Sequence, residues 1–198
     1  CIRTTIGYNI SILDLYGIIQ VFKLILKAFY PHMASLEITI YPNSILAKKA
    51  EAVGDVTPGI KELMPQMVFA MQENDGIGLA APQVNVSKRI IVIQDGEEVK
   101  TYINPRIIHK SREKHLDEEG CLSLPGIFFD VRRPSSIEVE VQTPEGKLVK
   151  IKAEGLTARI LQHEIDHLEG KLIINRIPFW RRWKLREQLQ ELKNYAIR

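Results

Sequence analysis

The sequence predicts a single α+β domain in which antiparallel or mixed β-sheets pack around one central, ligand-bearing helix, with a further amphipathic helix at the C-terminus. Three features point this way: a run of β-branched residues, a clear hairpin pattern, and a helix-period stretch that holds two histidines. All three fall within 198 residues, 45% hydrophobic and 26% charged. That length buries one good core and is too short for two large ones.

Residues 1–33 begin with Cys1 rather than Met, and Met33 is a natural start for the domain beyond it. Gly17 to Tyr30 is rich in Ile, Leu, Val and Phe, but Lys23 and Lys27 interrupt it, and it falls short of the roughly 20 residues of a membrane span. Neither a cationic leader nor a small-residue cleavage site marks a signal peptide. The segment is expected to be an extension, best explained as upstream sequence from a mis-assigned start; an amphipathic anchor or partner-binding helix is the alternative. The domain proper is expected over residues 34–179.

Within it, Thr57 and Pro58 form an N-cap and N1 pair that opens a helix to about Glu73. Ile60, Leu63, Met64, Met67 and Met71 mark its apolar side, and Pro65 is a candidate kink. Arg89 to Gln94 reads as a strand, followed by a turn at Asp95-Gly96 and a second strand around Thr101-Tyr102-Ile103. Ile137, Val139 and Val141 alternate with Glu138, Glu140 and Gln142. The chain then turns through Pro144-Glu145-Gly146 and returns over Leu148 to Ile151. Leu156, Ile160, Leu161, Ile165 and Leu168 recur near a 3.6-residue period, and Gly170 is placed to end that helix. Residues 180–198 read as a basic amphipathic helix, with Trp183, Leu185, Leu189, Leu192 and Ile197 among Lys and Arg. It is expected first of all to dock on the domain.

The chemistry is concentrated in His163-Glu164-Ile165-Asp166-His167. Residues i and i+4 of a helix stand one above the other, with Cβ atoms about 5 to 6 Å apart, so both rings can reach one ion. Glu164 points off that line and is free to hold a water as general base. A catalytic site usually takes three protein ligands plus an open position. Position 173 is Ile, which excludes the pattern that continues to a third histidine. Two candidates remain: Glu187, among cations in the C-terminal helix, and Cys121, whose thiolate suits zinc or ferrous iron.

Glu119-Gly120-Cys121-Leu122-Ser123, Gln162 to Gly170, and Gly76-Ile77-Gly78-Leu79-Ala80-Ala81-Pro82-Gln83 together resemble the three signature segments of the peptide deformylases. The resemblance runs from about Leu36 to Ile177 and includes Arg132-Arg133-Pro134 and the hairpin after it. It implies a hydrolase that removes the formyl group from the N-terminal N-formylmethionine of nascent proteins and releases formate. It implies one divalent ion held by Cys121, His163 and His167, with Fe2+ favoured and Zn2+, Ni2+ or Co2+ also suited to that set. The ion would acidify a bound water, which attacks the formyl carbon while Glu164 serves as base and then acid. The Gln83 amide and the Leu122 N–H would receive the developing oxyanion. Gly78 would let an extended substrate approach closely, and Ile77, Leu156, Ile160 and the His163 ring would form the methionine pocket. The Arg159 stem would line that pocket with its head in water. Arg133 is a candidate contact to the peptide backbone, Glu119 a brace for Cys121, and Asp166 an anchor for the helix.

The expected setting is cytoplasmic, consistent with two cysteines and no disulfide framework. A net charge of +3 gives no indication of DNA binding. No transmembrane segment is expected. Through the resemblance, the basic C-terminal helix is a candidate ribosome contact.

Overall fold

A computed structural model describes residues 36–196 of the chain. The expectations for residues 1–33, Ile197 and Arg198 lie outside the described residues. Among the described residues seven strands, β1 (Gly78–Ala80), β2 (Ile90–Asp95), β3 (Glu98–Lys110), β4 (Lys114–Gly120), β5 (Phe128–Pro134), β6 (Ser136–Gln142) and β7 (Leu148–Glu154), form two sheets. Five of them lie in the order β1-β2-β3-β6-β7, and β4 pairs with β5 alone. Every neighbouring pair is antiparallel. Four α-helices accompany them among the described residues: α1 (Pro58–Glu73), α2 (Gly155–Leu168), α3 (Phe179–Lys184) and α4 (Arg186–Ala196). The expected α+β architecture is therefore present, and no helix among the described residues is long and apolar enough to cross a membrane.

Strand β2 shows why two helices sandwich the larger sheet. Successive side chains of a strand point to opposite faces, and Ile90, Ile91, Val92 and Ile93 are all buried. Ile90 and Val92 pack with Met64, Met67 and Met71 of α1. Ile91 and Ile93 pack with Leu161, Ile165 and Leu168 of α2. Each such fully buried side chain contributes about 1.5–3 kcal/mol relative to exposure. The hairpin β6–β7 adds Val139 and Val141 to the α2 side, with Val139 opposite Ile151 and Val141 opposite Val149.

Local chemistry sets the element ends. The Thr57 hydroxyl accepts from the Ile60 N–H at 3.4 Å to start α1, which runs on through Pro65 as one helix. Gly170, just beyond α2, adopts φ +68°, and a Cβ there would lie 2.7 Å from the Ala47 carbonyl oxygen. Only glycine turns the chain here without displacing its neighbour.

Several boundaries differ from expectation. The second strand extends to Glu98–Lys110, and β1, β4 and β5 are additional. The C-terminal helix is two helices, because the chain turns at Leu185 between α3 and α4. Leu189 is buried with Ile173, Ile174 and Ile177, and Leu185 and Leu192 pack against the same cluster, so α4 docks on the domain.

Candidate metal centre and active site

Helix α2 is buried at every residue from Ile160 to Leu168, so its polar groups face protein. His163 and His167 stand one turn apart, with their Nε2 atoms 3.2 Å from each other. Cys121 comes directly after β4, and its Sγ lies 3.3 Å from His167 Nε2. Among the described residues these three form the cluster able to hold a metal ion, their donor atoms lying within 4.8 Å of one another. Donors bound tetrahedrally at about 2.0–2.3 Å stand roughly 3.3–3.6 Å apart, close to the spacing found here. Glu187 lies exposed in the first turn of α4 and is not part of the cluster.

The electrostatics differ between the two histidines. Burial, then the neighbouring His163, holds His167 well below its ordinary pKa, and neutral imidazole is the ligating form. His163 is drawn the other way, up to about 10: burial disfavours its charge, but Cys121 and Glu119 outweigh burial. The groups around His163 therefore favour positive charge at its ring, whereas His163 and Arg133 disfavour it at His167. His167 Nδ1 and Glu164 Oε2 are both buried without a hydrogen-bond partner. Burial pushes the Glu164 carboxyl up to about 7, against the pull of His163 and Arg133. A carboxyl in that range both accepts and returns a proton near neutral pH.

Gln83 is placed by a 3-10 turn at Ala81–Val84 and is 1% exposed. Its Oε1 accepts from the Ala80 N–H at 2.8 Å, which leaves Nε2 facing Ser123 Oγ at 3.3 Å and Cys121 Sγ at 3.7 Å. Gly78 sits against the base: a Cβ there would fall 2.3 Å from Glu164 Oε1 and 2.8 Å from Ile160 Cγ2. Ile77, Gly78, Gln83, Leu122, Leu156 and Ile160 all line one cleft of about 630 Å³, together with Cys121, His163 and Glu164. Ile77 and Leu156 are exposed large hydrophobic residues, and Ile160 is buried.

Two arginines depart from expectation. Arg133 is 3% exposed, with Nε and Nη2 donating to Glu119 at 2.6 and 2.9 Å and Nη1 to Asp166 at 2.8 Å. Three of its five N–H groups are held in this way and the side chain is not among those that line the cleft, so Arg133 is an internal ion-pair residue rather than a surface cation. The Arg159 head is tied down by protein partners, donating to Glu119, Asp117 and the carbonyls of Val131 and His115. Glu119 collects Arg133, Arg159 and the His163 ring, whose Nδ1 lies 3.0 Å away. Burial pushes its carboxyl up, but His163 and Arg133 prevail and bring it to about 2.

Ser123, wholly buried beside Gln83, and Phe128, on the cleft rim, are site residues that sequence reasoning missed. Ser123 closes the Glu119–Ser123 motif, and that position was the signal for it. Phe128 occupies a strand position that normally signals only β propensity.

The fold and this site define a metal-dependent hydrolase. Residues 35–183 match the family model described as polypeptide deformylase, and the chain is 46% identical over 144 residues to a peptide deformylase of Desulfitobacterium hafniense, covering 73% of this chain and 95% of that one. Crystal structures of peptide deformylases agree: that from Thermotoga maritima has a TM-score of 0.72 at 39% identity, covering 73% of this chain and 99% of its own, and that from Plasmodium falciparum 0.76 at 38%, covering 80% and 95%. The chain belongs to the peptide deformylase family; it is an enzyme that removes the formyl group from the N-terminal N-formylmethionine of nascent proteins.

Proposed function

We propose that Cys121, His163 and His167 hold the metal, that Glu164 moves the proton, and that Gln83 and the Leu122 N–H stabilise the oxyanion. The observation that carries this reading is the convergence of Sγ and two Nε2 atoms, at 3.2 and 3.3 Å, beside the unpartnered Glu164 Oε2. The bound ion would supply Lewis acidity, bringing a coordinated water toward neutral pKa. Ferrous iron is the proposed occupant; the one-thiolate, two-imidazole set also accepts Zn2+, Ni2+ or Co2+.

Glu164 takes a proton from the attacking water. As the formyl C–N bond breaks, it gives that proton to the departing amine, leaving formate and a free amino terminus. Gln83 acts through Nε2, since Ala80 fixes its Oε1. Removing one oxyanion donor typically costs about 10²–10³ in rate. Ile77, Leu156 and Ile160 take the methionine side chain, and Gly78 lets the substrate strand lie close to Glu164.

The test is anaerobic release of formate from formyl-Met-Ala-Ser. Wild type loaded with Fe2+ releases it; Cys121→Ala fails to bind metal and releases none; Glu164→Gln binds metal but is slowed by about 10²–10⁴. Full activity in either variant would sink this assignment of roles.

The enzyme is proposed to act in the cytoplasm, where formylated chains are made. Exposed Arg182 and Arg186 on α3 and α4 support a ribosome contact through RNA phosphate. Co-sedimentation with ribosomes that weakens steeply with salt would bear this out; salt-independent or absent co-sedimentation would refute it.

A further inference from the structure

Asp166 stands on α2 between the two histidines, buried, and takes part in no ligand cluster among the described residues. Its carboxylate is shared. Arg133 Nη1 donates to Oδ2 at 2.8 Å, as does Arg176 Nε at 2.8 Å, while Arg176 Nη2 donates to Oδ1. Arg176 comes from the chain just after the 3-10 turn Ile173–Asn175, outside all three signature segments, and its side chain is 39% exposed.

The charges explain why a third residue is needed. Two buried carboxylates, Glu119 and Asp166, face one fully buried guanidinium, Arg133, and Arg159 adds a single hydrogen bond to Glu119 Oε1 at 2.7 Å. Arg133 divides itself unequally: a two-toothed grip on Glu119 and a single hydrogen bond to Asp166. A two-toothed pairing fixes the plane of the carboxylate as well as its position. That grip leaves Glu119 oriented toward His163 Nδ1 at 3.0 Å. Asp166 tolerates its smaller share of Arg133 because Arg176 supplies the rest. Without Arg176 a buried carboxylate keeps a single donor, a costly state, and the nearest relief is to draw Arg133 off Glu119.

We propose that Arg176 is a positioning residue for the metal centre: by occupying Asp166 it leaves Arg133 to hold Glu119, and Glu119 to fix the ring of His163. The inference rests on the ligand set proposed above. Carboxylates that hold a ligating histidine by its second nitrogen typically account for about 10- to 100-fold in metal affinity, so Arg176, three contacts further out, is expected at about the lower end.

The test is Zn2+ affinity by chelator competition. Arg176→Met is expected to weaken binding about tenfold, with Arg176→Lys, which keeps the charge and loses the fork, in between. In a Glu119→Gln background, Arg176→Met should cause no further loss, because the route to His163 is already cut. Unchanged affinity, or the same loss in both backgrounds, would overturn the proposal. Should Glu119→Gln fail to fold, NMR of the zinc-loaded wild type and Arg176→Met serves instead: the His163 ring signals shift while those of His167 stay, and shifts in both or in neither refute the chain of contacts. Wild type that binds no zinc would instead indict the ligand set.

Discussion

Helix α1 meets one face of the five-stranded sheet through Met64, Met67, Ala70 and Met71, all apolar, whereas α2 on the other face buries Gln162, His163, Glu164, Asp166 and His167 among its hydrophobic residues. Both helices are anchored by the same strand, β2. Burial of α1 is favourable on its own account. Burial of α2 costs free energy wherever a polar group lacks a partner: those of His163 and Asp166 come from β4, β5 and the segment after α2, while Glu164 Oε2 and His167 Nδ1 have none. A helix like α1 can therefore lose a side chain and lose stability alone, whereas a change around α2 acts on the chemistry directly.

The largest break in that contrast is expected from Gly78→Ala on the α2 side. The new methyl would need the space of Glu164 Oε1, 2.3 Å from its ideal position, and would press on Ile160. The base must move, and misplacement by about 1 Å can cost about 10² in rate. Formate release should fall by that order while zinc affinity stays at the wild-type value. A kcat within about twofold of wild type would show that Glu164 has room the packing does not suggest. On the α1 side, Met67→Ala empties a wholly buried site. It should cost about 2–5 kcal/mol in urea denaturation, with kcat per folded molecule unchanged. A loss of kcat there would mean the sheet transmits strain from one helix to the other.

What the sequence revealed divides along similar lines. The α1 N-terminus, the β6–β7 hairpin and α2 were legible because periodicity, turn residues and caps agreed locally. Strand β4 was not: Lys114 to Glu118 are all exposed, so no apolar alternation marks them. Strand β5 does alternate, burying Phe129, Val131 and Arg133, but an inward arginine breaks the pattern. Its partner Glu119 lies 14 residues away across a hairpin the sequence did not announce. Arg133 therefore read as a surface or substrate-facing cation. The residues gathered around the cleft were nameable because they lay in contiguous motifs; Arg176, which reaches them only through Asp166, was not. The turn at Leu185 was hidden because the apolar residues on either side keep a helical spacing across it.

The smallest effect is a pH signature that also belongs to the α2 side alone. Glu164 is raised by burial from an ordinary 4.5 to about 7, so between those values the folded protein binds a proton that the unfolded chain has released. Stability from this group is present below about 4.5 and is lost as pH rises toward 7. Glu119, lowered to about 2, has the opposite sign, and its contribution is lost as pH falls below 4.5. In chelator, Glu164→Gln should therefore make the unfolding free energy fall less, or rise more, between pH 4.5 and 7, where His167, held low, contributes with the opposite sign, and leave the acid limb, carried by Glu119, in place. Met67→Ala should shift the whole curve downward without changing its shape, since a thioether does not titrate. If Glu164→Gln also only displaced the curve, Glu164 would be ionising as an ordinary carboxylate. It would then lack the raised pKa that a proton carrier needs at this site.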